Sequence, residues 1–177
     1  ICPELLQGGK TVAGTPVRVQ LLGQEPNWLA ENAVRAVELG SPGVDLNFGC
    51  PAKAVNKSRG GAVLLKQTEQ LYKIVKAVRD AVPAEYPVSA KIRLGYDDTS
   101  LTLDNAGAIC AAGASSLAVH ARTKSDGYRP PAYWPWIAKI KQHVDIPLVA
   151  NGEIWSATDA ALCQQQSHCQ DIMLGRG

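Results

Sequence analysis

The chain has 177 residues, of which 46% are hydrophobic and 19% are charged. This composition is typical of a globular protein and excludes a disordered, collagen-like or coiled-coil class. The formal charge of +2 is too small to indicate nucleic-acid binding by itself, and no apolar run reaches the roughly 20 residues that a membrane helix needs.

The cysteines are odd in number and form no CxxC pair: Cys2, Cys50, Cys110, Cys163 and Cys169. This pattern argues against a disulfide framework and a zinc ribbon, and the three histidines fall at no zinc-binding spacing. The first residues show no basic region followed by an apolar stretch, so they do not indicate a secretory signal. We therefore expect a cytoplasmic protein that binds neither a metal nor a membrane.

Short apolar segments rich in β-branched residues alternate with helix-like segments along the sequence. Strands are predicted at 15–23, 43–51, 87–95, 116–123, 146–154 and 171–177. Helices are predicted at 26–40, 68–82, 101–112, 133–143 and 156–166, and a polar, glycine-bearing loop follows the second strand. This order is typical of a parallel sheet whose faces are both covered.

Two fold classes share this order, the doubly wound sheet and the (β/α)₈ or TIM barrel. The units recur regularly, no GxGxxG follows the first strand, and polar residues end nearly every strand, all of which favour the barrel. Eight strands close such a barrel, and the sequence supplies about six. We therefore expect residues 1–177 to form one partial TIM-barrel domain, with one strand missing before Ile1 and at least one after Gly177.

The polar residues at the predicted strand ends should meet at one mouth of the barrel, where TIM-barrel enzymes have their active sites. They are Gln20, Asn47, Cys50, Lys91, Arg93, His120, Arg122, Asn151, Glu153 and Arg176.

Two of these positions indicate chemistry. Cys50 follows a strand in the segment NFGCP, where a thiol could give or take one proton, although a free cysteine is more often a small buried apolar residue. Lys91 lies in the apolar strand VSAKIRL, where a buried ammonium needs an anionic partner. The alternative for Lys91 is that its side chain extends to solvent at the rim.

The other positions are individually weaker. Gln20 could both donate to and accept from a pyrimidine edge, and the terminal GRG could bind phosphate or form a simple turn. Basic residues follow Cys50 at Lys53, Lys57 and Arg59, and Lys124 and Arg129 surround Tyr128. Such residues could contact RNA phosphates and a splayed base, but solvated loops have the same composition.

The motifs together resemble the tRNA-dihydrouridine synthases. VQLLG, GVDLNFGCP, GGAVLL, AKIRLG, VHART, ANGEI and MLGRG occur in that family's order and spacing along nearly the whole chain, and the DLNxGCP stretch is the most specific. The segments QLLG, NGEIW and PAKAVNKSRGGAVLL are most similar to the bacterial subfamily that acts on uridine 16 of the tRNA D-loop.

The resemblance implies reduction of a D-loop uridine in tRNA to dihydrouridine by FMN and NADPH, with Cys50 as the proton donor. It implies an FMN site formed by Gln20, Lys91, His120, Asn151, Gly152, Glu153, Gly175 and Arg176, and uridine contacts from Asn47 and Arg93. The family's first strand with its PM-x-G segment, and its C-terminal helical tRNA-binding domain, are not in the sequence. We expect a monomer whose substrate is tRNA.

Two alternatives remain. Another FMN barrel acting on a pyrimidine, such as a dihydroorotate dehydrogenase, also uses a loop Cys or Ser, but that family lacks the continuation GCPxxxVxxxxGGAxLL. An inactive fragment that binds nothing is the non-enzymatic alternative.

Overall fold

The computed structural model describes residues 3–175 and contains one sheet of six parallel strands. The strands are β1 (Val19–Leu21), β2 (Val44–Asn47), β3 (Val88–Gly95), β4 (Ser116–Thr123), β5 (Leu148–Asn151) and β6 (Asp171–Met173). They lie side by side in chain order, each paired in parallel with the next. The molecule is thus a partial α/β barrel, which confirms the predicted fold class.

Helices connect the strands. They are α1 (Pro26–Glu38), α2 (Lys53–Lys57), α3 (Thr68–Ala81), α4 (Thr102–Ala111), α5 (Pro135–Lys141) and α6 (Ala157–Ser167). Pro26 and Pro135 begin their helices, where the missing N–H has no cost, and a capping box of Ser156 and Asp159 begins α6. Within residues 3–175, no helix is long and apolar enough to cross a membrane.

The hydrophobic core lies between the helices and the outer face of the sheet. Alternate residues of β3, from Val88 to Leu94, are fully buried on that face. The α3 side chains Leu71, Ile74 and Val78 recur at helical spacing and are also fully buried. Each such side chain contributes about 1.5–3 kcal/mol by leaving water, so the helix side of the sheet provides most of the stability.

The inner face of the sheet is polar instead. Strand register places Asn47 beside Lys91. One row further along the strands, Arg93, His120, Asn151 and Met173 are neighbours on β3 to β6. Neighbours in register point to the same side of a sheet, so these side chains share the inner face.

The predicted boundaries differ from the structure in two ways. The loop predicted after Cys50 contains α2 and a 3₁₀-helix at Gly61–Lys66. The strands predicted at 15–23, 43–51, 146–154 and 171–177 are shorter, because regular pairing stops after three or four residues on each. Pro51, which has no N–H for a ladder, follows the second of them.

Candidate active site

A cavity of about 420 Å³ opens at the carboxyl ends of the strands. It is lined by every predicted site residue that the structure describes: Gln20, Asn47, Cys50, Lys91, Arg93, His120, Asn151, Gly152, Glu153 and Gly175. Arg176 lies outside the described residues. The structure therefore brings together side chains from five strands and the loops that follow them, as expected for the mouth of a barrel.

Cys50 is half-buried and lines this cavity, and the backbone around it is held at several points. The Asn47 side chain accepts from the Gly49 N–H at 2.9 Å, and Arg93 Nε donates to the Gly49 carbonyl at 2.9 Å. The Cys50 carbonyl accepts from the Ala62 N–H at 3.1 Å. A thiol on a fixed backbone can reach one face of a bound substrate repeatedly in the same geometry.

Lys91 is a cation on the inner face of the sheet. Its Nζ donates to the Asn151 side-chain oxygen at 3.0 Å, and Asn151 in turn donates to the Met173 carbonyl at 2.8 Å. Burial lowers the pKa of Lys91 to about 8, with the charge of Arg93 acting in the same direction and that of Asp45 opposing it. A neutral amide thus contacts an ammonium that burial destabilises, so an anion in the cavity would be stabilised here.

Two predicted amides are already joined to each other. Asn47 Nδ2 donates to Gln20 Oε1 at 2.8 Å, and Gln20 Nε2 donates to Asp45 Oδ2 at 2.6 Å. Asp45 also accepts from Ser89 at 2.6 Å. The sequence interpretation missed Asp45, although its spacing of two from Asn47 places both on the inner face of β2.

Arg93 is almost fully buried, with 2% of its surface exposed. Besides Gly49, its guanidinium donates through Nη1 to the carbonyls of Thr123 at 3.1 Å and Gly127 at 2.8 Å. The half-exposed ring of Tyr128 lies 5.2 Å from the guanidinium carbon. Burial lowers the pKa of Arg93. This side chain connects the loop that carries Cys50 to the loop after β4.

A charged pair of Glu153 and Arg122 also lines the cavity. Glu153, which adopts a left-handed backbone with φ of 56°, pairs with the buried guanidinium of Arg122. The second oxygen of Glu153 accepts from Trp155 Nε1 at 2.9 Å. Arg122 also lies 3.5 Å from His120 Nε2. The carboxylate of Glu153 therefore orients Arg122 and the Trp155 ring beside the cavity.

Gly152 is required by its surroundings as well as by its backbone. Its φ is 112°, and a Cβ at this position would lie 2.6 Å from His120 Cδ2. The Gly152 carbonyl accepts from Trp134 Nε1 at 2.8 Å, which fixes the turn. The bare backbone thus leaves room for the His120 ring at the cavity wall.

Gly152→Ala should therefore destabilise the protein by roughly 1–3 kcal/mol, because it adds both strain and a clash. Gly14→Ala is the matched control, since Gly14 has φ of 84° but open space where a Cβ would be added. Thermal unfolding should show a larger loss for Gly152→Ala than for Gly14→Ala. Equal melting temperatures for the two variants would contradict a steric role of His120.

Sequence reasoning gave no role to several residues that the structure brings to the site. Trp155 lines the cavity directly after ANGEI, and Asn56 contacts the Cys50 backbone from α2. The position after ANGEI could have indicated Trp155, whereas nothing in the sequence distinguishes Asn56 from a solvated loop residue. Within the described part of the chain, no group of three or more His, Cys, Asp or Glu residues could hold a metal ion.

The family model of the dihydrouridine synthases matches residues 5–177. The chain belongs to the dihydrouridine synthase family. It is 63% identical over its whole length to the tRNA-dihydrouridine(16) synthase of Shewanella oneidensis and 57% identical to that of Pseudomonas putida. It spans 56% and 55% of those two relatives, about half of their length.

Solved structures share the fold at low sequence identity. The old yellow enzyme homologue of Zymomonas mobilis superposes with a TM-score of 0.56 at 16% identity, over 84% of this chain and 46% of that one. A dihydroorotate dehydrogenase (DHODH) of Eimeria tenella in complex with ferulenol superposes with a TM-score of 0.59 at 16% identity, over 83% of this chain and 47% of that one. These neighbours support the partial barrel assignment for this member of the dihydrouridine synthase family.

Proposed function

We propose that the full-length protein is a tRNA-dihydrouridine synthase that reduces a D-loop uridine, position 16 being the favoured target. The single observation that carries this proposal is the shared cavity of Cys50 and Lys91 in a chain of the dihydrouridine synthase family. The relatives named as tRNA-dihydrouridine(16) synthases support the position. A cytoplasmic monomer is the form we expect to act on tRNA.

The residues at the cavity fit a flavin mononucleotide. The Lys91 ammonium, in contact with a neutral amide, would stabilise the anionic pyrimidine edge of the reduced form. Gln20 and Asn151 carry amides that can donate and accept, and His120, Gly152 and Glu153 form the adjoining wall. Among residues 3–175, no atom beyond the chain neighbours of Gly175 lies within 4 Å of where a Cβ on it would be, so its backbone would be open to a phosphate. Arg176, from the same motif, would add a positive charge.

When bound, FMN reduced by NADPH would supply a hydride to C6 of the uracil. Cys50 would then act as a general acid and give its thiol proton to C5. The hydrogen bonds to the backbone of Gly49 and Cys50 would hold this thiol in position during the reaction. The proton and the hydride together complete the saturation of the C5–C6 bond.

Two residues would contact the target uridine. Asn47 has an amide and lines the same cavity as Cys50, and Arg93 has a buried positive charge 5.2 Å from the Tyr128 ring. The half-exposed ring of Tyr128 would stack on a base, and Lys124 and Arg129 on the same loop would meet phosphates. Single-stranded or splayed RNA is recognised by such a combination of stacking and positive charge.

Expression of the full-length protein in a host that lacks its dihydrouridine synthases tests the proposal. We expect the purified protein to carry bound flavin and the host tRNA to regain dihydrouridine at one D-loop position. Mass spectrometry of nuclease fragments locates the modified uridine. A flavin-free protein, or tRNA without dihydrouridine, would contradict the proposed function, and oxidation of dihydroorotate instead would favour the alternative enzyme.

A further inference from the structure

A buried asparagine holds the turn that carries Cys50. Asn56 lies on α2 and is 9% exposed. Its Nδ2 donates to the Cys50 carbonyl at 2.9 Å and to the Ala52 carbonyl at 2.8 Å. These two carbonyls flank Pro51, which has no N–H of its own to stabilise the turn. One side-chain amide therefore fastens the chain on both sides of the proline.

The other half of the amide makes no comparable contact. Among residues 3–175, Asn56 Oδ1 is a buried side-chain atom without a hydrogen-bond partner. Such an acceptor costs about 1–3 kcal/mol, so packing alone would favour an apolar side chain at this position. Asn56 therefore stabilises the turn through its Nδ2 donor, and one of the two acceptors of that donor is the carbonyl of Cys50.

The Cys50 carbonyl is also confined from a second side. Gly61 has φ of 67°, and a Cβ there would lie 2.8 Å from the Cys50 carbonyl oxygen and 3.0 Å from its Cβ. The next residue, Ala62, donates its N–H to the same oxygen. The backbone of Cys50 is thus fixed between Asn56 and the 3₁₀-helix, and the residue lines the cavity.

We propose that Asn56 is a positioning residue that sets the direction of the Cys50 thiol towards the uracil. The inference rests on the proposed function, because it assigns Asn56 a part in the proton transfer by Cys50. Misplacement of a reacting group by about 1 Å can cost about 10²-fold in rate. Loss of the Nδ2 donor should therefore slow protonation of the uracil and leave the reduction of flavin intact.

The test uses two variants of the full-length protein, Asn56→Asp, which keeps the shape and loses the donor, and Asn56→Ala. Each should slow single-turnover reduction of uridine in tRNA by about 10- to 100-fold, with flavin reduction by NADPH unchanged. Asn32→Ala is the matched control. Asn32 Nδ2 donates to the carbonyl four residues earlier, Trp28, at 2.7 Å, as Asn56 does to Ala52, but it is exposed on α1. This control should behave as wild type.

Alkylation of Cys50 by iodoacetamide provides a readout that needs no tRNA. The rate, with Cys50→Ser as the background, should rise in both Asn56 variants because a loosened turn exposes the half-buried thiol. If the wild type forms no dihydrouridine but alkylation still rises in the Asn56 variants, the proposed function is wrong and the positioning of Cys50 by Asn56 stands. Wild-type uridine reduction in the variants, unchanged alkylation, an equal loss of flavin reduction, or unfolding of both variants by circular dichroism would overturn the inference.

Discussion

Replacement of Cys50 by alanine in the full-length protein should lower the rate of dihydrouridine formation by about 10²–10⁴-fold, which is the usual contribution of a general acid. Flavin reduction by NADPH should continue at the wild-type rate, because it requires no proton from this thiol. The measurement compares single-turnover flavin reduction with the dihydrouridine content of tRNA from a host that lacks the enzyme. In this variant dihydrouridine formation should slow while flavin reduction keeps its wild-type rate.

Cys110→Ala is the control for this substitution. Cys110 lies on α4, is half-buried like Cys50, and does not line the cavity. It should keep both rates. Wild-type turnover in Cys50→Ala, or an equal loss in Cys110→Ala, would remove Cys50 from the reaction.

The fold could be predicted from the sequence because its two faces obey different rules. The outer face of the sheet needs apolar residues at every second position, and β3 supplies them with Val88, Ala90 and Ile92. The helices need apolar residues at a spacing of three and four, as in Leu71, Ile74 and Val75 on α3. Both patterns are local in sequence, so the order of strands and helices follows from them.

The convergence of site residues was predictable for a related reason. Polar residues at the ends of parallel strands must meet at one edge of the sheet, and this placed Cys50 and Lys91 in one cavity. Their individual partners depend on contacts distant in sequence. Arg122 pairs with Glu153, and Lys91 donates to Asn151, sixty residues away. No local pattern records such pairs.

The support of the Cys50 turn could not be predicted either. α2 has only five residues, too few for a periodic apolar pattern, and its asparagine resembles any polar loop residue. Its importance appears only when Asn56 Nδ2 is seen to reach back to Cys50 and Ala52. The predicted boundaries of β1 were also wrong, because pairing with β2 covers just three residues.

Lys91→Met should increase the stability of the flavin-free protein at pH 7 and weaken its binding of flavin. Burial holds the pKa of Lys91 at about 8, against about 10.5 for an unhindered lysine. At pH 7 the folded protein therefore contains a charge that burial opposes, and its removal should add roughly 2 kcal/mol to the free energy of unfolding. Loss of a charge-assisted bond to the reduced flavin should cost about 1.5–3 kcal/mol of binding.

The pH dependence separates this effect from simple repacking. Between pH 8 and 10.5 the unfolded wild type holds more protons than the folded wild type, so raising the pH through this window stabilises the wild type. The advantage of Lys91→Met should therefore be largest at and below pH 7 and disappear towards pH 10 in urea unfolding. Lys73→Met is the control, because Lys73 is exposed on α3 and pairs with Glu69. A constant advantage across this pH range, or equal flavin binding by both variants, would contradict the role of Lys91 as a buried cation held for an anionic ligand.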